Sequence, residues 1–138
     1  MNHDLSRLGD TPVPVLRLGD VLLVTLQGDL HDATAERLQQ DITEAIARSR
    51  VAGVVIDISG VEIVDSFLGR VLAEIAASAR LLAAQTVVAG MRPAVALTLV
   101  ELGLTLPGLR TALSAQAALD LLGRAGATAS DGPRRELR

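Results

Sequence analysis

The sequence predicts one α/β domain with its elements in the order ββαβαβαβα. Three observations lead there. Short β-branched runs alternate with amphipathic stretches of helical period. Glycines and a proline punctuate the joins. The chain has 138 residues, 49% of them hydrophobic, which matches one domain of the common size, about 100–150 residues.

The runs Val13–Leu18 and Val21–Gln27 flank Gly19-Asp20, a two-residue connection typical of a hairpin, so the first two strands are expected to be antiparallel. From His31 to Arg50, Ala35, Leu38, Ile42, Ala45 and Ile46 recur at three- and four-residue steps. Glu36, Arg37, Gln39, Gln40, Glu44 and Arg48 fill the opposite face, and the segment reads as an amphipathic helix. Val54–Ile58 is a nearly continuous β-branched run between Gly53 and Ser59-Gly60, which predicts a strand covered on both faces at the centre of the sheet.

Leu68, Leu72, Ile75, Ala76 and Ala79 again recur at helical spacing. A second helix is expected from about Ser66 to Leu82, with Asp65 or Ser66 at its start. Thr86–Ala89 reads as the fourth strand. Pro93 suits a first helical turn, so a third helix is expected from there through Glu101. Gly108–Leu113 is the last expected strand and Ala115–Leu122 the last helix, ending near Gly123. Strands separated by helices pair in parallel through right-handed crossovers. Residues 1–12 read as a flexible polar leader, 13–123 as the folded domain and 124–138 as a flexible, small and charged tail.

Composition removes several function classes. With no cysteine there are no disulfides, thiolate metal sites or thiol nucleophiles. The net charge is −3 and the thirteen basic residues are scattered arginines, so nucleic acid is not an expected partner. The N-terminus lacks the apolar run of a secretory signal. Glu74, Arg80 and Gln85 interrupt the best apolar window, which leaves no membrane span and predicts a soluble cytoplasmic protein. Mean hydropathy is nevertheless +0.40, and apolar surface left over would suit other protein subunits.

Catalytic motifs are missing too. There is no Walker loop, no G-x-G-x-x-G, no G-x-S-x-G and no histidine pair at ligand spacing. His3 and His31 lack a partner that would make either a general base. No cofactor is expected, and the chain reads as a non-enzyme.

Asp57, Glu62 and Asp65 gather around the strand-to-helix turn and admit two readings, a metal cup or helix capping. Capping is favoured, because carboxylates at a helix N-terminus complement its dipole by about 0.3–1 kcal/mol each. Ser66 on local pattern alone also reads as a cap. It stands, however, at the carboxyl end of a central strand, where α/β domains place functional groups. A phosphate there would add a charge of about −1.5 to −2 beside Asp65 and Asp57 and oppose any interface using the patch.

Three segments together carry a resemblance: Val54–Ile58, then Ile63-Val64-Asp65-Ser66-Phe67-Leu68-Gly69-Arg70-Val71-Leu72, then Arg92-Pro93-Ala94-Val95-Ala96-Leu97-Thr98-Leu99-Val100-Glu101-Leu102-Gly103-Leu104. The sequence resembles STAS domains of the RsbS type, the single-domain stressosome scaffolds of the anti-sigma-factor-antagonist superfamily. The likeness runs from about Pro14 to Gly123. It implies a mixed five-stranded sheet with about four helices, and phosphorylation on Ser66. It also implies assembly with RsbR-type STAS paralogues and sequestration of an RsbT-type serine kinase, released once the scaffold is phosphorylated. The absence of a preceding sensory domain fits the RsbS type.

On this reading Asp65, Phe67, Arg70, Met91 and Arg92 are the candidate partner contacts. Phe67 and Met91 would offer apolar area, and the arginines would meet acidic groups or a phosphate. Phe67 has a competing reading as a core residue and Arg70 as part of a solvated helix face. Two rival functions remain: a monomeric antagonist that binds an anti-sigma kinase directly, and a small nucleotide-binding α/β protein.

Overall fold

β1 (Val15–Leu18) and β2 (Val21–Gln27) form the expected hairpin, with Leu18 opposite Val21 and Leu16 opposite Leu23. Gly19, with φ +63°, supplies the left-handed backbone that a two-residue hairpin turn requires at its first position. Arg17 braces the turn by donating from Nε to the Gly19 carbonyl at 2.8 Å. The computed structural model describes residues 13–28, 30–104 and 108–123. The leader (1–12) and tail (124–138) lie outside the described residues.

After the hairpin come α1 (Asp32–Arg48), β3 (Gly53–Gly60), α2 (Ser66–Leu81), β4 (Gln85–Ala89), α3 (Pro93–Glu101), β5 (Leu109–Ala112) and α4 (115–123). The sheet order is β1-β2-β3-β4-β5. Only the hairpin is antiparallel; β2–β3, β3–β4 and β4–β5 are parallel, as helical crossovers demand. This is the mixed five-stranded α/β architecture expected, with β3 in the middle. The element limits differ from the expected ones by one or two residues, as fraying ends do.

Alternation along β3 sorts its side chains into two cores. Val54, Ile56 and Ile58 face a cluster built with Leu38 and Ile42 of α1, Leu72 and Ile75 of α2, and Val95 and Leu99 of α3. Val55 faces the other way, into a smaller cluster with Val21, Val87, Ala118 and Leu122, where α4 supplies the cover. All five of Val54, Val55, Ile56, Ile58 and Leu72 are fully buried. Each such side chain contributes about 1.5–3 kcal/mol relative to leaving it exposed. No helix among the described residues is long and apolar enough to cross a membrane.

Candidate functional site

At the carboxyl end of β3 the chain turns into α2 through a segment pinned at both ends. The Asp57 carboxylate accepts the Ser59 backbone N–H at 2.9 Å, and Val61 N–H donates to the Ile58 carbonyl at 2.9 Å. Val61 and Val64 are buried and anchor the turn to the core, while Glu62 and Ile63 between them are exposed. Burial of Val61 and Val64 holds the residues that follow at the carboxyl end of the sheet.

Asp65 is extended (φ −123°, ψ 179°) and is the N-cap of α2. Its Oδ1 accepts the Leu68 N–H at 3.0 Å, satisfying one of the donors that every helix start leaves open. Its carbonyl accepts the Gly69 N–H at 3.2 Å. The cap is therefore Asp65 and not Ser66. Ser66 is the first helical residue and exposed, with no hydrogen bond to its Oγ among the described residues.

The next residues divide by helical phase. Leu68 and Gly69 are buried. Phe67 is half-buried and packs on the edge of the larger core, as its reading as a core residue expects. Arg70 is exposed, and its guanidinium carbon lies 6.0 Å from the centroid of the Phe67 ring, within cation–π range.

Asp65, Phe67, Arg70 and Glu74 form one wall of an open groove of about 690 Å³. Leu30, His31, Asp32, Glu36 and Gln39 contribute from the α1 side. A hydrogen bond from Gln39 Nε2 to Glu74 Oε1 at 3.0 Å joins the two helices.

Met91 and Arg92 come to the same end of the sheet from the β4–α3 turn. Met91 is half-buried against the larger core. Arg92 is exposed and donates from Nε to the Ser59 carbonyl at 3.0 Å, which ties the start of α3 to the end of β3. Thus Asp65, Ser66, Phe67 and Arg70 lie together at the head of α2, and Arg92 reaches β3 through Ser59.

Among the described residues no three acidic or histidine side chains are grouped to hold a metal ion. Asp57 and Asp65 each bind a backbone N–H of their own turn. Two features escaped the sequence reading. Ile63 is 85% exposed beside the cap, and Leu97 and Val100 are 65% and 75% exposed on the outer face of α3. The largely apolar composition of α3, broken only by Thr98 and Glu101, was the available signal, because so apolar a helix is normally buried on most of its sides.

Residues 13–115 match the STAS domain. The chain belongs to the STAS domain family. Within this family it is of the RsbS type. It is 40% identical to Moorella thermoacetica RsbS carrying a serine-to-glutamate substitution, covering 83% of this chain and 97% of that one with a TM-score of 0.73. It is 42% identical to a chain from the molecular architecture of the stressosome, described as a signal integration and transduction hub. That match covers 82% of this chain and 98% of the other with a TM-score of 0.72. The Bacillus subtilis (strain 168) RsbT co-antagonist protein RsbRC is 33% identical over 112 residues, 80% of this chain and 39% of that protein. The chain spans between 36% and 43% of the length of the curated relatives it matches. The resemblance carried by the Val54–Ile58, Ile63–Leu72 and Arg92–Leu104 segments is borne out for the family, the fold and the RsbS type of this STAS protein.

Proposed function

We propose that this STAS protein is a phosphorylation-controlled cytoplasmic scaffold. It assembles with RsbR-type paralogues into a stressosome and holds a serine kinase of the RsbT type, which it releases when Ser66 is phosphorylated. The observation that carries this reading is the exposed Ser66 hydroxyl, freed from capping duty by Asp65. Similarity to a stressosome chain and to RsbT co-antagonist proteins supports the assignment of partners.

In this account the protein is a substrate. The bond from Ser66 Oγ to the γ-phosphorus of ATP forms as the bond to the β-phosphate bridging oxygen breaks, and the hydroxyl proton leaves to a base of the kinase. ADP departs, and the chain gains a charge of about −1.5 to −2. Unmodified, the head of α2 offers the kinase Phe67 and Arg70 beside Asp65, with Met91 and Arg92 at the same end of the sheet. A phosphate on Ser66 places a hydrated dianion in that contact, and the cost of desolvating it drives release.

Capture of an RsbT-type kinase on the immobilised full chain, together with an RsbR-type paralogue, tests the proposal. Ser66→Ala is expected to retain the kinase and Ser66→Asp to weaken its capture at least about tenfold, equivalent to about 1.4 kcal/mol. Equal capture by the two variants contradicts a charge switch at this position.

A further inference from the structure

Resting on the reading of Ser66 as phosphoacceptor, we propose that Arg70 is the internal receptor of the phosphate, moving from the ring of Phe67 to phospho-Ser66 on modification. Ser66 and Arg70 are four residues apart in α2, and so lie on one face of the helix. Helical side chains lean toward the N-terminus, and Arg70 does so far enough to cover Phe67, three residues before it. A side chain that spans this distance reaches the neighbouring position, Ser66, by rotamer changes alone.

The resting contact is weak enough to be exchanged. At 6.0 Å from the ring centroid the guanidinium sits at the outer limit of cation–π range, and it is exposed to water. A phosphoserine offers three strong acceptor oxygens, and arginine binds such groups with two parallel charge-assisted hydrogen bonds. The other charged or titratable groups around the groove are Asp65 at the N-cap of α2, Glu74 on α2, and His31, Asp32 and Glu36 on the α1 side. Those four carboxylates repel a phosphate, and Arg70 is the arginine that lines the groove with them.

The consequence is a switch with two parts. Phosphorylation adds charge at Ser66 and simultaneously withdraws Arg70 from the Phe67 ring, so that a partner loses the cation it met in the unmodified state. An aspartate at position 66 is shorter and singly charged, and is expected to reproduce the first part better than the second.

The test uses the full chain with phosphoserine genetically encoded at position 66, so that no kinase is needed. Titration followed by phosphorus NMR reads the second phosphate pKa, ordinarily about 6. Arg70→Ala is expected to raise it by about half a unit or more, and Arg80→Ala, on the same helix but remote from Ser66, to leave it in place. In the unmodified chain the Arg70 Hδ resonances are expected upfield from the Phe67 ring current, and phosphorylation moves them downfield. An unchanged phosphate pKa in Arg70→Ala, or Arg70 resonances that ignore phosphorylation, overturns the proposal. Because the phosphate is installed directly, either result leaves the identity of the kinase's target site untouched. That question is read separately by mapping the site the kinase modifies.

Discussion

Asp65 Oδ1 holds the Leu68 N–H at 3.0 Å, and this bond relieves the adjacent serine of a structural task. Removing it should therefore cost stability, and removing the serine hydroxyl should not. Asp65→Ala is expected to destabilise the domain by about 1 kcal/mol, with Asp65→Asn largely retaining the cap. Ser66→Ala is expected to stay within about 0.5 kcal/mol of the parent, the usual range for a surface change. Urea denaturation followed by circular dichroism compares them, since a chain without Trp or Tyr offers little intrinsic fluorescence. A larger loss in Ser66→Ala than in Asp65→Ala would reverse the assignment of the cap.

Arg92 joins two crossovers through one bond to the Ser59 carbonyl. Arg92→Ala is expected to cost about 1 kcal/mol, the net worth of a typical intramolecular hydrogen bond at an accessible position. Native-state hydrogen exchange should rise at the start of α3 while the centre of β3 stays protected. Exchange that is unchanged at α3 would show that the bond does not restrain it.

Gly90 sits where β4 leaves the sheet, with φ +72°. A Cβ added there would lie 2.8 Å from Ser59 Cβ and 3.3 Å from Asp57 Oδ1. Strain and close contact act together, so Gly90→Ala is expected to lose about 1–3 kcal/mol. A melting temperature equal to that of the parent would contradict the packing of the β4–α3 turn against the end of β3.

The core is almost wholly aliphatic, and its members are unequal in a way burial predicts. Leu72 is fully buried, and Leu72→Ala is expected to cost about 2–5 kcal/mol through lost contacts and a residual cavity. Leu113 is 96% exposed, and Leu113→Ala is expected to change stability by less than about 0.5 kcal/mol. Denaturation midpoints at equal m-values check the contrast.

Much of this fold was legible locally. The Val54–Ile58 run announced a central strand, because a short, nearly continuous β-branched run bounded by glycines suits a strand buried on both faces. The α2 face Leu68, Leu72, Ile75 and Ala79 announced itself by period. The start of α2 was less clear, since Asp and Ser are equally good caps; the extended backbone of Asp65 is what decides between them.

Other features belong to tertiary register and leave no local trace. Arg92 finds the carbonyl of Ser59, 33 residues away, and Gln39 finds Glu74, 35 residues away. The exposure of Ile63 was hidden for a similar reason: an apolar pair such as Ile63-Val64 does not say which member faces inward. Ser66 as a phosphoacceptor came from resemblance alone, and local chemistry favoured a cap.

The central claim is that the kinase modifies Ser66 Oγ. The full chain, incubated with an RsbT-type kinase, an RsbR-type paralogue and ATP, is digested with trypsin, and the peptide Val51–Arg70 is fragmented in the mass spectrometer. Fragmentation is essential because that peptide holds both Ser59 and Ser66. The account predicts phosphate on Ser66, with Ser59 unmodified and its carbonyl still bonded to Arg92. Phosphate on Ser59 with Ser66 untouched would contradict it.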